Sequence, residues 1–177
     1  MLAQAAVEML TRRGVSLDAM ADVIYQLQRP YVPDLTREQC MAGLLGVVAK
    51  REVQNALITG LTLDEMAEEG LLREPLGSIV RNDSELYGVD AMLALSIVNM
   101  YGSIGLSNYG YLALDKKILF RTLPGRHNKV NTFLDDLVAA LVAAACARIA
   151  HGNRELPEGR GELGNGAGSD EVAKLGD

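Results

Sequence analysis

Asp135 and Asp136 stand side by side in the segment Asn131-Thr132-Phe133-Leu134-Asp135-Asp136-Leu137-Val138-Ala139-Ala140, and an unbroken apolar run continues to Ala147. Charges set against such a run are costly unless something uses them. Two readings stay open. Thr132 suits an N-cap, which puts both acids in a first turn where the helix dipole favours negative charge. Alternatively, the pair holds a divalent cation. Neighbouring helical residues diverge by about 100°, so one acid faces a central site while the other reaches the same ion from its flank. Magnesium needs only one or two carboxylates, with water and phosphate oxygens completing the shell.

Other chemistry-bearing residues fall into two groups. Asp83, Glu85 and Asp90 flank the start of a second apolar stretch. Asp115 precedes Lys116 and Lys117, and Arg121, Arg126, His127 and Lys129 follow. Two acidic helix starts brought together make an all-oxygen cation site. Lys116, Lys117 and Arg121 beside it supply anion binding. That combination suits phosphoester hydrolysis. The plainer alternatives are solvated loop lysines, a loop role for His127 and a helix-end role for His151.

These residues have to be positioned by helices. The chain has 177 residues, 49% of them apolar, with no Trp and two Phe. A core of Leu, Ile, Val, Met and Ala favours an all-α multi-helix bundle. Residues 2–13 read as a helix stopped by Gly14, and Ser16 caps another through Gln28. Thr36-Arg37-Glu38-Gln39 is a capping box that opens a long helix to about Thr59, ended by Gly60. Thr62-Leu63-Asp64-Glu65 reads as a second box, and residues 72–80 as a short helix around Pro75. A nearly continuous apolar helix over 89–101 is expected at the buried centre, with 133–150 the other candidate for that place. Residues 102–131 read as a long, basic, glycine-containing connection. The last helix runs from Thr132 to about His151. These elements define a domain over 1–151. Residues 152–177, with seven glycines and no aromatics, read as a disordered acidic tail.

The net charge of −6, half of it in the tail, disfavours nucleic-acid binding. Cys40 and Cys146 read as reduced core thiols of a cytosolic protein. No secretory leader is evident, and no segment reads as the roughly 18–20 apolar residues that cross a bilayer. Gly102, Gly105 and Gly110 follow no strand and match no nucleotide-binding fingerprint. No Gly-x-Ser-x-Gly, His-Glu-x-x-His or P-loop occurs.

Several stretches resemble the phosphatidylglycerophosphatase A family, in its small, soluble, all-helical branch of Gram-positive bacteria. They are Lys50 to Ala56, Leu86-Tyr87-Gly88-Val89-Asp90, Ala94 to Asn99, Tyr101 to Leu106, and Phe133 to Val138. The family's Asp-Asp-x-x-Ala motif matches Asp135, Asp136 and Ala139. Its Gly-Ser-Ile-Val motif matches Gly77 to Val80, and the acid pair that follows is spread here over Asp83 and Glu85. The resemblance implies a Mg2+-dependent phosphatase that converts phosphatidylglycerophosphate to phosphatidylglycerol. On that reading Asp83, Glu85 and Asp136 are catalytic, and Asp135, Asp136 and Asp83 hold the metal. Lys116, Lys117 and Arg121 meet the substrate. Partners would be a small phosphorylated substrate or a lipid head group at a membrane surface, with no nucleic acid and with further copies of the chain. The location would be cytoplasmic or peripheral to the membrane. A soluble phosphatase acting on α-ribazole phosphate, and a non-catalytic helical ligand-binding module, are the alternatives.

Overall fold

The computed structural model describes residues 1–114 and 129–154. Among them lie α1 (Leu2–Arg12), α2 (Leu17–Gln28), α3 (Arg37–Val48), α4 (Arg51–Glu68), α5 (Leu76–Arg81), α6 (Val89–Val98), a 3-10 turn (Asn99–Tyr101), α7 (Gly102–Leu114) and α8 (Thr132–Arg154). The described residues contain no strand. The expected caps form. Ser16 Oγ accepts from the Ala19 amide at 3.2 Å. In the Thr36 box, Thr36 Oγ1 accepts from the Gln39 amide at 3.2 Å, and Gln39 Oε1 accepts from the Thr36 amide at 2.9 Å.

Helix α8 is the centre. Phe133, Leu134 and every residue from Leu137 to Ala147 are buried, and α2, α3, α4, α6 and α7 all pack on it. A helix apolar on all sides has to be enclosed in this way, and its alanines let five neighbours come close. The apolar stretch over 89–101 is not the centre. Met92 is 70% exposed, and Val89 is exposed too. One side of α6 packs on α8, while the described residues leave the other uncovered.

Three further expectations are corrected. The long helix from Thr36 breaks at Ala49 and Lys50 rather than at Gly60. Gln54 Nε2 donates to the Val48 and Ala49 carbonyls, both at 3.0 Å, and so terminates α3. Gly60 lies inside α4 because a neighbour needs the space. A Cβ there would come within 2.6 Å of Leu137 Cδ1 and 3.0 Å of Phe133 Cβ. The run Thr62 to Glu65 therefore starts no helix.

Residues 102–114 form α7 instead of a connection. Gly102, at φ 65°, turns the chain between the 3-10 turn and α7. Val89–Leu114 is then, by length and composition, apolar enough to cross a membrane, contrary to the sequence expectation. That expectation had treated the Gly, Ser and Asn residues of 102–114 as breakers. Residues 152–154 continue α8, while the rest of the expected acidic tail, residues 155–177, and the basic segment 115–128 with Lys116, Lys117 and Arg121 lie outside the described residues.

Two glycine substitutions should shift stability in opposite directions. Gly60→Val would force branched carbons into the contact with Leu137 and Phe133 and should lower unfolding free energy by about 2 kcal/mol. Gly110→Ala, where the new Cβ would meet nothing within 4 Å beyond its own helix backbone, should raise it by about 0.5–1 kcal/mol. Denaturant titration of both variants checks the signs. A neutral Gly60→Val would mean that the α4–α8 crossing is loosely packed.

Candidate active site

Helix α8 starts where α4 directs it. Asp64, wholly buried on α4, accepts hydrogen bonds from the Phe133 amide at 3.1 Å and the Leu134 amide at 2.9 Å. These are donors that a helix's first turn leaves without intrahelical acceptors. Thr132, the expected N-cap, has another role. It lies within the helix, and its buried hydroxyl donates to the Val80 carbonyl at 2.7 Å, tying α8 to α5.

The stretch before α8 is tied down as well. Glu68 Oε1 accepts from the Val130 amide at 2.8 Å and pairs with Arg13 Nη1 at 2.7 Å. Arg13, almost entirely buried, also donates to the Val130 carbonyl and to Asn131 Oδ1. Gly60, Asp64 and Glu68 recur every four residues, so they share one face of α4. That face fixes the position and direction of α8.

Asp135 and Asp136 follow in the next residues, half-buried. The Tyr109 hydroxyl on α7 donates to Asp136. Burial, followed by the charges of Asp136 and Asp90, raises that phenol above its ordinary range. Tyr87 packs edge-on against Phe133, with ring centres 5.9 Å apart, and burial followed by the Asp90 charge raises its phenol as well. Asp135 acts on the Asp64 carboxyl. The structure thus associates Asp64 with Asp135, and Asp90 with Asp136 through Tyr109.

Asp83 and Glu85 lie exposed on the loop between α5 and α6, Asp83 with φ 47°. No group of three or more His, Cys, Asp or Glu side chains among the described residues is arranged to hold a metal. The cysteines contribute no nucleophile. Both are buried, and burial pushes the Cys40 thiol up to about 11 and the Cys146 thiol up to about 12.

Sequence reading missed Asp64 and Tyr109. Asp64 had a signal: it falls on the buried face that carries Leu57, Gly60, Leu61 and Ala67, an acid where a leucine would be expected. Tyr109 had none, because the pattern of 102–114 did not read as a helix.

Residues 13–151 match the family described as Phosphatidylglycerophosphatase A. The uncharacterized protein YpjQ of Bacillus subtilis (strain 168) is 46% identical over 151 residues, covering 85% of both chains. A protein of unknown function from Bacillus stearothermophilus superposes with TM-score 0.79 at 52% identity, over 84% of this chain and 93% of its own. The low temperature requirement C protein of Listeria monocytogenes gives TM-score 0.81 at 47% identity, over 88% and 98%.

Asp64 should make stability depend on pH. An unfolded aspartate titrates near about 3.9. Burial raises Asp64 to about 7, against the opposing pull of the two amides and Arg13. The folded chain therefore holds this proton more tightly. The resulting stabilisation is complete below about pH 4 and is lost as pH rises through 7, on the order of a few kcal/mol in all. Asp64→Asn should remove that component of the slope. It should also lower stability by about 1–3 kcal/mol at pH 7, because its NH2 would leave one α8 amide without an acceptor. Unfolding free energies across pH 4–8 check this, and identical slopes in the two proteins would be the contrary result.

Proposed function

The chain belongs to the phosphatidylglycerophosphatase A family, and from that membership we propose that it is a phosphatase acting at the end of the bundle where α8 begins. The substrate on this reading is a phosphomonoester, phosphatidylglycerophosphate by family resemblance. The observation that carries it is the treatment of Asp135 and Asp136. They sit half-buried in a turn fixed by Asp64, with Asp136 bonded to Tyr109.

The donor chemistry fits magnesium, a hard cation satisfied by oxygen and by one or two carboxylates. Asp135 and Asp136 would hold it, with water and phosphate oxygens completing the shell. When bound, the ion neutralises phosphate charge and lowers the pKa of a coordinated water. Tyr109 holds one Asp136 oxygen and so orients the carboxylate. With both thiols buried and protonated, the attacking group is water. Asp83 or Glu85 takes a proton from the water as its oxygen bonds to phosphorus, the P–O ester bond breaks, and the leaving oxygen takes a proton from solvent to become the alcohol. Lys116, Lys117 and Arg121 provide the cationic charge for the phosphate.

Phosphate release should be followed with phosphatidylglycerophosphate and with α-ribazole phosphate, each with and without magnesium. Magnesium-dependent release from the lipid is expected. Asp136→Asn should lose at least about tenfold in rate at saturating magnesium, roughly 1.4 kcal/mol of transition-state stabilisation. Release from α-ribazole phosphate alone would move the substrate to the soluble class. Equal rates in the wild type and Asp136→Asn would make the acid pair a helix start only, and no release from either substrate would favour a binding module.

A further inference from the structure

Tyr101 is 6% exposed, and its hydroxyl is buried without a hydrogen-bond partner among the described residues. Buried hydroxyls nearly always have one. The groups beside it are cations. The Lys50 ammonium lies over the Tyr101 ring, 4.7 Å from its centre. Burial raises the Tyr101 phenol, and the nearby charge of Arg148 draws it back. Arg148 lies across Gly46, where an added Cβ would come within 2.9 Å of its Nε. Gly46 is in the last turn of α3 and Lys50 just past its end. The end of α3, the 3-10 turn and α8 thus bring two positive charges to one buried hydroxyl.

Among the described residues neither cation forms an ion pair with a carboxylate. Lys50 is also the N-cap of α4, and no side chain caps that end. The first amides of α4 therefore add donors and the positive end of an 18-residue helix. Glu52, the acid of that turn, is exposed and joins no ion pair among the described residues. Arg148 stands about 18 Å from Asp136 along α8, at 1.5 Å of rise per residue, so this cluster is separate from the acid pair.

We propose that Lys50, Arg148 and the Tyr101 hydroxyl, with the start of α4, bind a doubly charged tetrahedral oxyanion, either inorganic phosphate or the phosphate of a monoester. Such an ion serves all of these groups at once. Its oxygens accept from a hydroxyl, an ammonium, a guanidinium and helix amides, and its charge offsets both cations. A carboxylate, with one charge and two oxygens, serves fewer of them. Lys50 is half-buried and Arg148 exposed, so their long side chains admit the anion by swinging aside from the hydroxyl. The site uses neither magnesium nor the acid pair, and it stands independently of the phosphatase reading.

The full chain, isotope-labelled for amide NMR and free of magnesium, is titrated with inorganic phosphate while chloride holds the ionic strength constant. Saturable shifts are expected at residues 50–53, Tyr101 and Arg148, and not at Asp135 and Asp136. Tyr101→Phe keeps the ring and removes the hydroxyl. It should weaken phosphate binding by about tenfold. Without phosphate it should melt no lower than the wild type, because the hydroxyl it removes has no partner to lose. Unchanged melting with unchanged phosphate affinity would make the hydroxyl an idle core group and overturn the proposal. Lys50→Gln combined with Arg148→Gln should still unfold cooperatively and should lose the saturable shifts. Glycerol phosphate is titrated in parallel. Tighter binding than inorganic phosphate assigns the site to a phosphomonoester, weaker binding assigns it to the free ion, and either result supports the site. Shifts confined to Asp135 and Asp136, shifts that chloride alone reproduces, or a wild type with no saturable response would overturn it.

Discussion

One face of α4 sets the geometry on which the rest of the molecule depends. Gly60 lets α8 approach, Asp64 receives the first amides of α8, and Glu68 with Arg13 holds the strand of chain that leads into it. Most helices satisfy their first amides with a side chain from just before the helix or with water. Here the acceptor comes from 69 residues earlier in the chain. The start of α8 is thus a tertiary feature, and Asp135 and Asp136 inherit a position that the local sequence does not provide. The same buried contact that completes the core aims the acids.

The core composition explains the remaining architecture. Without Trp and with two Phe, bulk has to come from many small aliphatic contacts, and these work best around an alanine-rich axis that neighbours can approach closely. Gly43 shows the same economy of space: a Cβ there would come within 3.3 Å of Ile149. Enclosing α8 uses only the inner sides of α6 and α7. On their outer sides Val89, Met92, Leu106, Tyr111 and Leu114 stay exposed among the described residues, a departure from the amphipathic pattern of a surface helix.

Local signals in the sequence were readable where the physics is local. The Ser16 and Thr36 caps, the stop after α2 and the fully apolar α8 follow from nearest neighbours along the chain, and the family relation followed from runs such as Tyr101 to Leu106 and Phe133 to Val138. Reading failed where a distant partner decides. Gly60 looks like a terminator until Leu137 and Phe133 are placed against it. The Gly-Ser-Asn spacing of 102–114 looks like a loop until the packing at Gly105 is seen, where an added Cβ would come within 3.0 Å of the Val98 carbonyl and of Tyr101 Cβ. The acid pair was found from sequence. Its supports, Asp64 and Tyr109, come from other helices, and only the fold brings them to it.

The arrangement also sets like charges against one another. Burial, with a smaller addition from Asp135, raises the Asp64 carboxyl, and burial followed by the charges of Asp136 and Asp90 raises Tyr109. Arg13 draws Asp64 the other way. A chain selected only for stability would have little reason to keep an acid wholly buried on α4 next to an adjacent acid pair, since an apolar residue at position 64 and an ordinary cap at position 131 would build the same helix with less repulsion. Violations of local consistency of this kind concentrate at sites that do something. The protonatable Asp64 fits that view: near neutral pH it stands close to the point where the start of α8 exchanges a neutral acceptor for a charged one.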